Sequence, residues 1–225
     1  MQHQENADWH MARSHIYGLL GSLLSQQPVE ETIAQLLHPE AVNYLENLFA
    51  DPQIGSQFHR LADQYHAGKI SSEQVTLDFE WLMRVPGASY THPYESVYRN
   101  RRKGKKSLKW GGLYGRHACD AERCYLSEGL APQYDRVDFA DHIGAELSFM
   151  AHICRRTAEA LYTGRTEISE RLQTKQQQFA QRHLLTWAED FSEELRAKAV
   201  TPFFQAVADM LAAFVKLEKS EPITH

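Results

Sequence analysis

The stretch DFADHIGAELSFMAHICRRTAEALYTG, residues 138–164, has the pattern of one long amphipathic helix. Its apolar residues recur at steps of three and four, and they form a stripe of Ile143, Leu147, Met150, Cys154 and Leu161. Asp138 is a favourable N-cap residue, and Gly164 is a residue type at which helices commonly end. The pattern therefore predicts a central core helix between these two residues, with Cys154 as a small buried hydrophobe.

Apolar residues recur at the same helical spacing along most of the chain. Runs in which apolar and polar residues strictly alternate, the pattern of a β-strand, are nearly absent. A first helix is predicted over residues 7–25, ending before Pro28, and a helix hairpin is predicted to follow it. Ser71 and Gln74 form a capping box ahead of a helix that ends before Pro86. The sequence therefore predicts an all-α fold, a helical bundle.

Two further helices are predicted towards the C-terminus. One runs from Glu167 to Arg196, and the other from Pro202 to Leu217. Thr201 is a suitable N-cap for the second of these, because proline is well tolerated at the first helical position that follows.

Length and composition favour one soluble domain. The chain has 225 residues, of which 43% are hydrophobic and 24% charged, so we expect a single domain over residues 1–225. The net charge of −5 argues against a nucleic-acid-binding protein. Three cysteines fit a reducing compartment, and neither an export signal nor a membrane-spanning run is visible, so we expect a cytoplasmic protein without membrane insertion.

Motifs of common enzyme classes are missing from the sequence. It contains no phosphate-binding loop, no dinucleotide-binding glycine motif, no nucleophile elbow and no Glu-x-x-His pair for a di-iron site. His117, Cys119 and Cys124 are the nearest approach to a metal cluster, but structural zinc normally needs a second ligand pair. We therefore expect neither an enzyme nor a bound metal or cofactor.

Two features leave alternatives open. His142 and Glu146 lie four residues apart, so they share a helix face and could hold a metal or move a proton. The alternative is that Asp141 interacts favourably with the positive end of the helix and that His142 simply lies in its first turn. The basic run from Arg99 to Lys109 is either a solvated loop or a charged lip for an acidic partner.

Five segments together resemble the TorD/DmsD family of redox-enzyme maturation chaperones. They are DFEWLMRVPG, HPYESVY, YLSEGLAP, FADHIGAELSFMA and the tail that begins HLLTWAEDFSEEL, and RSHIYGLLGSLLSQQP fits the first helix of the family. The resemblance implies an all-helical, non-enzymatic cytoplasmic chaperone. Its partner would be a molybdoenzyme precursor, whose twin-arginine signal peptide and body it binds, delaying export until the molybdenum cofactor is inserted.

The resemblance also implies where the leader peptide binds. The positions that match the family's ligand-binding segments are Trp81, Leu82, Met83, Pro86, Pro93, Tyr94, Glu95, Ser96, Tyr98, Asp141, His142 and Glu146. Asp141 would pair with an arginine of the leader. Tyr94 and Met83 would pack against its apolar stretch, unless they are ordinary core residues.

Other readings stay open beside this one. The chain could be a NarJ-like assembly factor for a membrane-bound reductase that is never exported, or a helical nucleotide- or metal-binding protein. Helical proteins of this type can exchange elements between chains, so a homodimer is left open beside a monomer.

Overall fold

The core helix expected within residues 138–164 runs from Ile143 to Tyr162 in the computed structural model, which describes residues 2–49, 51–101, 115–131 and 138–220. The α-helices are α1 (Gln2–Ser25), α2 (Glu30–Leu36), α3 (Pro39–Phe49), α4 (Pro52–His66), α5 (Ser72–Phe79), α6 (Glu95–Arg99), α7 (Arg116–Leu126), α8 (Ile143–Tyr162), α9 (Thr166–Arg182), α10 (Ala188–Lys198) and α11 (Pro202–Ser220). A π-helical turn, Glu80–Arg84, continues α5, and a 3-10 turn, Leu184–Thr186, follows α9. The part of the chain that the structure describes contains no β-strand, which confirms the all-α prediction.

Contacts among the residues divide the chain into two compact units. The first unit comprises Met1–Ser25, Pro93–Ala188 and Glu218–His225, and the second comprises Gln26–His92 and Glu189–Leu217. The expectation of one domain over residues 1–225 stays a prediction. No helix in the described ranges combines the length and the hydrophobicity needed to span a bilayer.

The core of the first unit is built around α8, which packs against α1 and α9. Four members of the predicted stripe, Ile143 to Cys154, are completely buried, and Leu161 is half-buried. Gly144 permits the close approach of α1, because a Cβ atom there would lie 2.5 Å from the Cβ atom of Ser25. Burial of the apolar stripe between two helices is the main source of stability in such a unit.

The second unit has an aromatic core of its own. The rings of Phe79 and Phe204 lie 6.1 Å apart, and both side chains are buried. Asp78 accepts hydrogen bonds from the backbone N–H (2.7 Å) and the hydroxyl (2.6 Å) of Thr201. These bonds tie the end of α5 to the start of α11.

Two of the predicted helix starts are confirmed by their hydrogen bonds. The amide of Gln74 donates to the Ser71 hydroxyl (3.2 Å), and the amide of Ser71 donates to the Gln74 side chain (2.9 Å), which makes a complete capping box. The amide of Phe204 donates to the Thr201 hydroxyl (3.4 Å) just before Pro202, as the capping pattern predicts.

Other helix bounds were predicted wrongly. The first helix begins at Gln2 rather than at residue 7. The single helix predicted from Glu167 to Arg196 is two helices, because the backbone leaves the helical path at His183, where φ is −115° and ψ is −92°. The break places His183 and Trp187 in the buried core of the first unit. Tertiary contacts have here overridden a continuous helical periodicity.

Candidate functional site

The segment Pro93–Ser96 is held against the start of α8 by backbone hydrogen bonds. The amide of Glu95 donates to the carbonyl of Asp141, and the amide of Ile143 donates to the carbonyl of Pro93, both at 2.9 Å. Tyr94 and His142 form an isolated antiparallel bridge between these bonds. The structure therefore brings together two segments that the sequence analysis assigned to leader binding.

Asp141 caps α6, the helix on the other side of this bridge. Its Oδ2 atom accepts a hydrogen bond from the amide of Ser96 (2.8 Å) and a second from the Ser96 hydroxyl. The Asp141 side chain is completely buried, and its Oδ1 atom has no hydrogen-bond partner among the described residues. The carboxylate therefore satisfies one buried N–H group in the first turn of a short helix that is distant in sequence.

His142, rather than Asp138, is the N-cap of α8, so the prediction for Asp138 is wrong. The Nδ1 atom of His142 accepts a hydrogen bond from the amide of Gly144 at 3.0 Å. Burial lowers the pKa of His142 to about 3, so the ring is neutral at physiological pH. Asp138 instead accepts a hydrogen bond from the Tyr94 hydroxyl at 3.1 Å, four residues too early in the chain to cap the helix.

Glu95 is completely buried and lies between three cationic or titratable side chains. Its Oε1 atom is 2.9 Å from Nη1 of Arg99 and 3.4 Å from Nδ1 of His117. Its Oε2 atom is 2.7 Å from Nδ1 of His183. The carboxylate is thus held by a guanidinium on one oxygen and by an imidazole on the other.

His183 carries a positive charge in this environment. Burial by itself lowers the pKa of His183, but a hydrogen bond to Cys124, another to Glu95 and the nearby charge of Glu146 outweigh it and raise the pKa to about 10. His117 behaves in the opposite way, since burial outweighs the attraction of Glu95 and lowers its pKa. The pKa values of two histidines on the same carboxylate are therefore shifted in opposite directions.

Glu146 completes the buried group. Its Oε2 atom accepts a hydrogen bond from Nε1 of Trp187 at 3.0 Å, and its Oε1 atom has no partner among the described residues. Burial, and after it the charge of Glu95, raises the pKa of Glu146 well above the ordinary value. Desolvation and the neighbouring carboxylate therefore both disfavour the ionised form of this carboxyl group, and the nearby His183 favours it.

Three of these side chains are close enough to hold a metal ion. Ligand atoms of Glu95, Glu146 and His183 lie within 4.8 Å of one another. Arg99 and the protonated His183 already neutralise Glu95, so the charge balance does not call for a further cation. Within the described ranges this metal-compatible group does not include His117, Cys119 or Cys124, the residues that the sequence suggested. The expectation of no metal stays a prediction.

Above this group lies a pocket of about 300 Å³, which we call the arginine pocket. Its lining comprises Arg99, Arg116, His117, Asp120, Arg123, Arg182 and His183. These residues come from α6, α7, α9 and the position just after α9, and sequence reasoning missed most of them. Residues 102–109 of the basic run from Arg99 to Lys109 lie outside the described residues. Whether the run is a solvated loop or a charged lip for an acidic partner therefore stays a prediction.

Four of the predicted leader-binding residues, Trp81 to Met83 and Pro86, belong to the second unit. The amide of Val85 donates to the carbonyl of Glu80 at 2.8 Å, which is the i to i+5 bond of a π-helical turn. Leu82 and Met83 are buried, whereas Trp81 is 48% exposed and Pro86 is exposed. π-Helical turns occur frequently at functional sites.

Trp81 lines a second pocket, of about 580 Å³, which we call the Trp81 pocket. Its apolar lining comprises Ile70, Leu77, Trp81, Val200 and Pro202, and its polar lining comprises Gln64, Lys69, Gln74, Asp78 and Thr201. Leu77 and Val200 are exposed large hydrophobic residues, like Trp81 itself. A mostly apolar lining with a few polar groups is typical of a binding site.

The remaining predicted leader-binding residues are buried in the first unit. Pro93, Tyr94 and Tyr98 belong to its core, and the ring of Tyr98 lies 5.3 Å from that of Trp187. The burial of Tyr94, and of Met83 in the second unit, favours the alternative that both are ordinary core residues. A role for these residues in leader binding stays a prediction.

Comparison with known proteins gives the family. The model of the nitrate reductase delta subunit family matches residues 50–193, which is more than half of the chain. A chaperone protein TorD from Vibrio atlanticus is 26% identical over 212 residues, covering 92% of each chain. The TorD chaperone of Colwellia psychrerythraea is 24% identical over 234 residues and covers 96% of this chain and 93% of its own.

A third relative has the same name. The chaperone protein TorD of Photobacterium profundum is 25% identical over 218 residues, covering 96% of both chains. All three relatives are named chaperones, which supports the expectation that this chain is not an enzyme. The chain belongs to the nitrate reductase delta subunit family, and within it to the TorD redox-enzyme maturation chaperones.

Proposed function

We propose that this protein is a cytoplasmic chaperone for a molybdenum-cofactor oxidoreductase. It binds the twin-arginine leader and the body of the precursor, and it delays export until the cofactor is inserted. Support comes from the match to TorD chaperones along nearly the whole length of the chain.

The observation that carries leader binding is the exposed Trp81 beside an apolar pocket. A twin-arginine leader is a basic, apolar and unstructured peptide, so its receptor needs an apolar groove with carboxylates nearby. The Trp81 pocket offers the apolar groove, and Glu80, the chain neighbour of Trp81, offers a partly exposed carboxylate that lies 3.3 Å from Arg84. Aromatic anchors of this kind dominate the affinity of many interfaces.

The test is the affinity of the purified chain for the leader peptide of a molybdoenzyme precursor from its native host, measured by isothermal titration calorimetry. Trp81→Ala is expected to weaken binding about tenfold or more. Tyr44→Ala is the matched control, because Tyr44 is 47% exposed and lies in the same unit but does not line the pocket. Equal affinity for the wild type and the Trp81 variant would exclude this pocket as the leader site.

Direct pairing between Asp141 and a leader arginine remains part of the proposal. Ser96 engages only the Oδ2 atom, so the Oδ1 atom, which is unpartnered among the described residues, would accept the guanidinium. Because the carboxylate is completely buried, such pairing requires the surrounding side chains to open a path to it. Asp141→Asn keeps the shape of the side chain and removes its charge. If this variant loses stability but binds the leader normally, Asp141 acts only as a helix cap.

A second candidate function follows from the family description, which names a nitrate reductase subunit. On this reading the client is a membrane-bound reductase that keeps only a remnant leader and is never exported. A tagged chain, recovered from its host after anaerobic growth, separates the two candidates by the N-terminus of the precursor that it retains. An intact twin-arginine leader supports the first candidate, and a client without one supports the second.

A further inference from the structure

The arginine pocket takes no part in the leader binding proposed above, and its charge is unbalanced. Among the described residues, the guanidinium groups of Arg99, Arg116, Arg123 and Arg182 and the protonated His183 line it, and the carboxylates that face them are Asp120 in the wall and Glu95, which contacts Arg99 and His183. Arginine stays charged at any physiological pH. Positive charge therefore exceeds negative charge around an open cavity of about 300 Å³.

Two of the arginines are held in place by contacts within the protein. Nη1 of Arg99 donates to Glu95 (2.9 Å) and to the carbonyl of Arg182 (2.8 Å). Nε of Arg182 lies 2.7 Å from Oδ2 of Asp120. Each guanidinium has five N–H donors, so these contacts orient the group and leave donors for a ligand.

The start of α7 adds further donors to the pocket. Arg116 is the first residue of this helix, and the N-cap residue, Gly115, provides no side chain to satisfy the first N–H groups. The positive end of a helix dipole and its unpaired N–H groups favour an anion. Arg116 forms no ion pair with any of the described residues.

A buried polar atom in the wall independently indicates a ligand. His117 is only 7% exposed, and its Nε2 atom has no hydrogen-bond partner in the described part of the chain. Its other ring nitrogen faces Glu95. Buried polar atoms are nearly always hydrogen-bonded, so an unpartnered one in a pocket wall calls for a polar group in the pocket.

We propose that the arginine pocket binds a phosphate-type oxyanion, either inorganic phosphate or pyrophosphate or the phosphate end of a larger molecule. Guanidinium groups match the geometry of phosphate oxygens through paired hydrogen bonds, and lysine does not. Asp120 carries the charge that opposes the ligand, and it lies 2.7 Å from Arg182, 3.2 Å from His183 and 3.8 Å from Arg123.

The first experiment measures the thermal unfolding of the full chain in sodium pyrophosphate, sodium phosphate and sodium chloride at one ionic strength. A ligand that binds only the folded state raises the melting temperature. Pyrophosphate and phosphate are expected to raise it above the chloride value. Equal melting temperatures in the three salts would overturn the proposal.

Calorimetric titration with pyrophosphate then locates the site. Arg182→Gln and Arg123→Gln are each expected to weaken binding about tenfold, the effect of losing a charged hydrogen bond. Arg155→Gln is the control, because Arg155 is an exposed arginine of the same unit outside the pocket. Asp120→Asn is expected to tighten binding, since it removes the opposing charge, and a merely structural role for the arginines would not produce this gain.

The source of the phosphate group is identified by a further arm with nucleoside diphosphates and triphosphates. If a nucleotide binds at least as tightly as pyrophosphate, and Arg182→Gln abolishes this binding, the pocket is assigned to the phosphate end of a nucleotide. Tighter binding of pyrophosphate alone would assign it to the free anion. Equal weakening in Arg155→Gln would show that the binding is a non-specific effect of surface charge and would refute the site.

Discussion

Replacing Glu95 by glutamine tests the charge assignment of the buried group. Glu95→Gln keeps the size of the side chain and removes the charge that faces Arg99 and His183. The wild-type pKa of His183 rises from 6.5 to about 10, and a shift of this size corresponds to roughly 5 kcal/mol of stabilisation shared among the groups that cause it. Removing one partner of a buried ion pair typically costs about 3–5 kcal/mol, and we expect about 3 kcal/mol here.

The pH dependence of this loss follows from the direction of the pKa shift. Because the folded protein holds the His183 proton more tightly than the unfolded chain, the stabilisation is complete below the unfolded pKa of 6.5 and is lost as the pH rises through about 10. The free energy of unfolding should therefore differ most between wild type and variant near pH 6. The part of the difference that comes from His183 should fall by about half near pH 8 and by about four-fifths towards pH 9.5.

The assay is urea-induced unfolding followed by circular dichroism at several pH values in this range. Glu159→Gln is the control, because the exposed pair of Glu159 with Arg155 (3.9 Å) is worth less than about 1 kcal/mol. A difference between wild type and Glu95→Gln that does not change with pH would refute the protonated state of His183. A variant as stable as wild type near pH 6 would refute the whole assignment.

Two further predictions concern packing in the first unit. Gly144→Ala should reduce the free energy of unfolding by about 2–3 kcal/mol, because the new Cβ atom would lie 2.5 Å from the Cβ atom of Ser25. Gly18→Ala should be neutral or slightly stabilising, because the nearest atom to its new Cβ lies 3.9 Å away. Urea unfolding of both variants checks this, and equal losses would contradict it. Glu218→Gln should lower the free energy of unfolding by about 3–5 kcal/mol, because Glu218 is buried and its two carboxylate oxygens lie 2.7 Å and 2.5 Å from the guanidinium of Arg13. A melting temperature unchanged from wild type would show that the pair does not stabilise the fold.

Much of the local structure could be predicted from the sequence. The stripe of α8, the capping box at Ser71 and the cap at Thr201 depend on residues three or four positions apart, so short-range patterns report them directly. The N-cap of α8 could not be predicted in this way. Asp138 and His142 both precede the apolar stripe, and contacts with Tyr94 and Gly144 decide which of them caps the helix.

The candidate site shows the same division. Resemblance to the family named Glu95, Asp141 and Glu146, and the structure brings these segments together around the bridge between Tyr94 and His142. The resemblance includes His183 only as the first residue of the tail HLLTWAEDFSEEL and assigns it no role at the site. Its pairing with Glu95 could not be predicted from the spacing, because the two residues are 88 positions apart and His183 lies inside an apparently continuous helical pattern. Carboxylate and imidazole side chains carry no periodic signal that indicates a distant partner.

The sequence by itself determined the all-α class, the buried stripe of α8 and the absence of the common enzyme motifs, because helical periodicity and short motifs are properties of neighbouring residues. Only the tertiary structure decided that Asp141 caps α6, that His183 is protonated against Glu95, and that arginines of α6, α7 and α9 surround one cavity. The physical reason is that charge balance, desolvation and cavity shape depend on distances in space. The packing of whole helices sets those distances, and no window of neighbouring residues contains them.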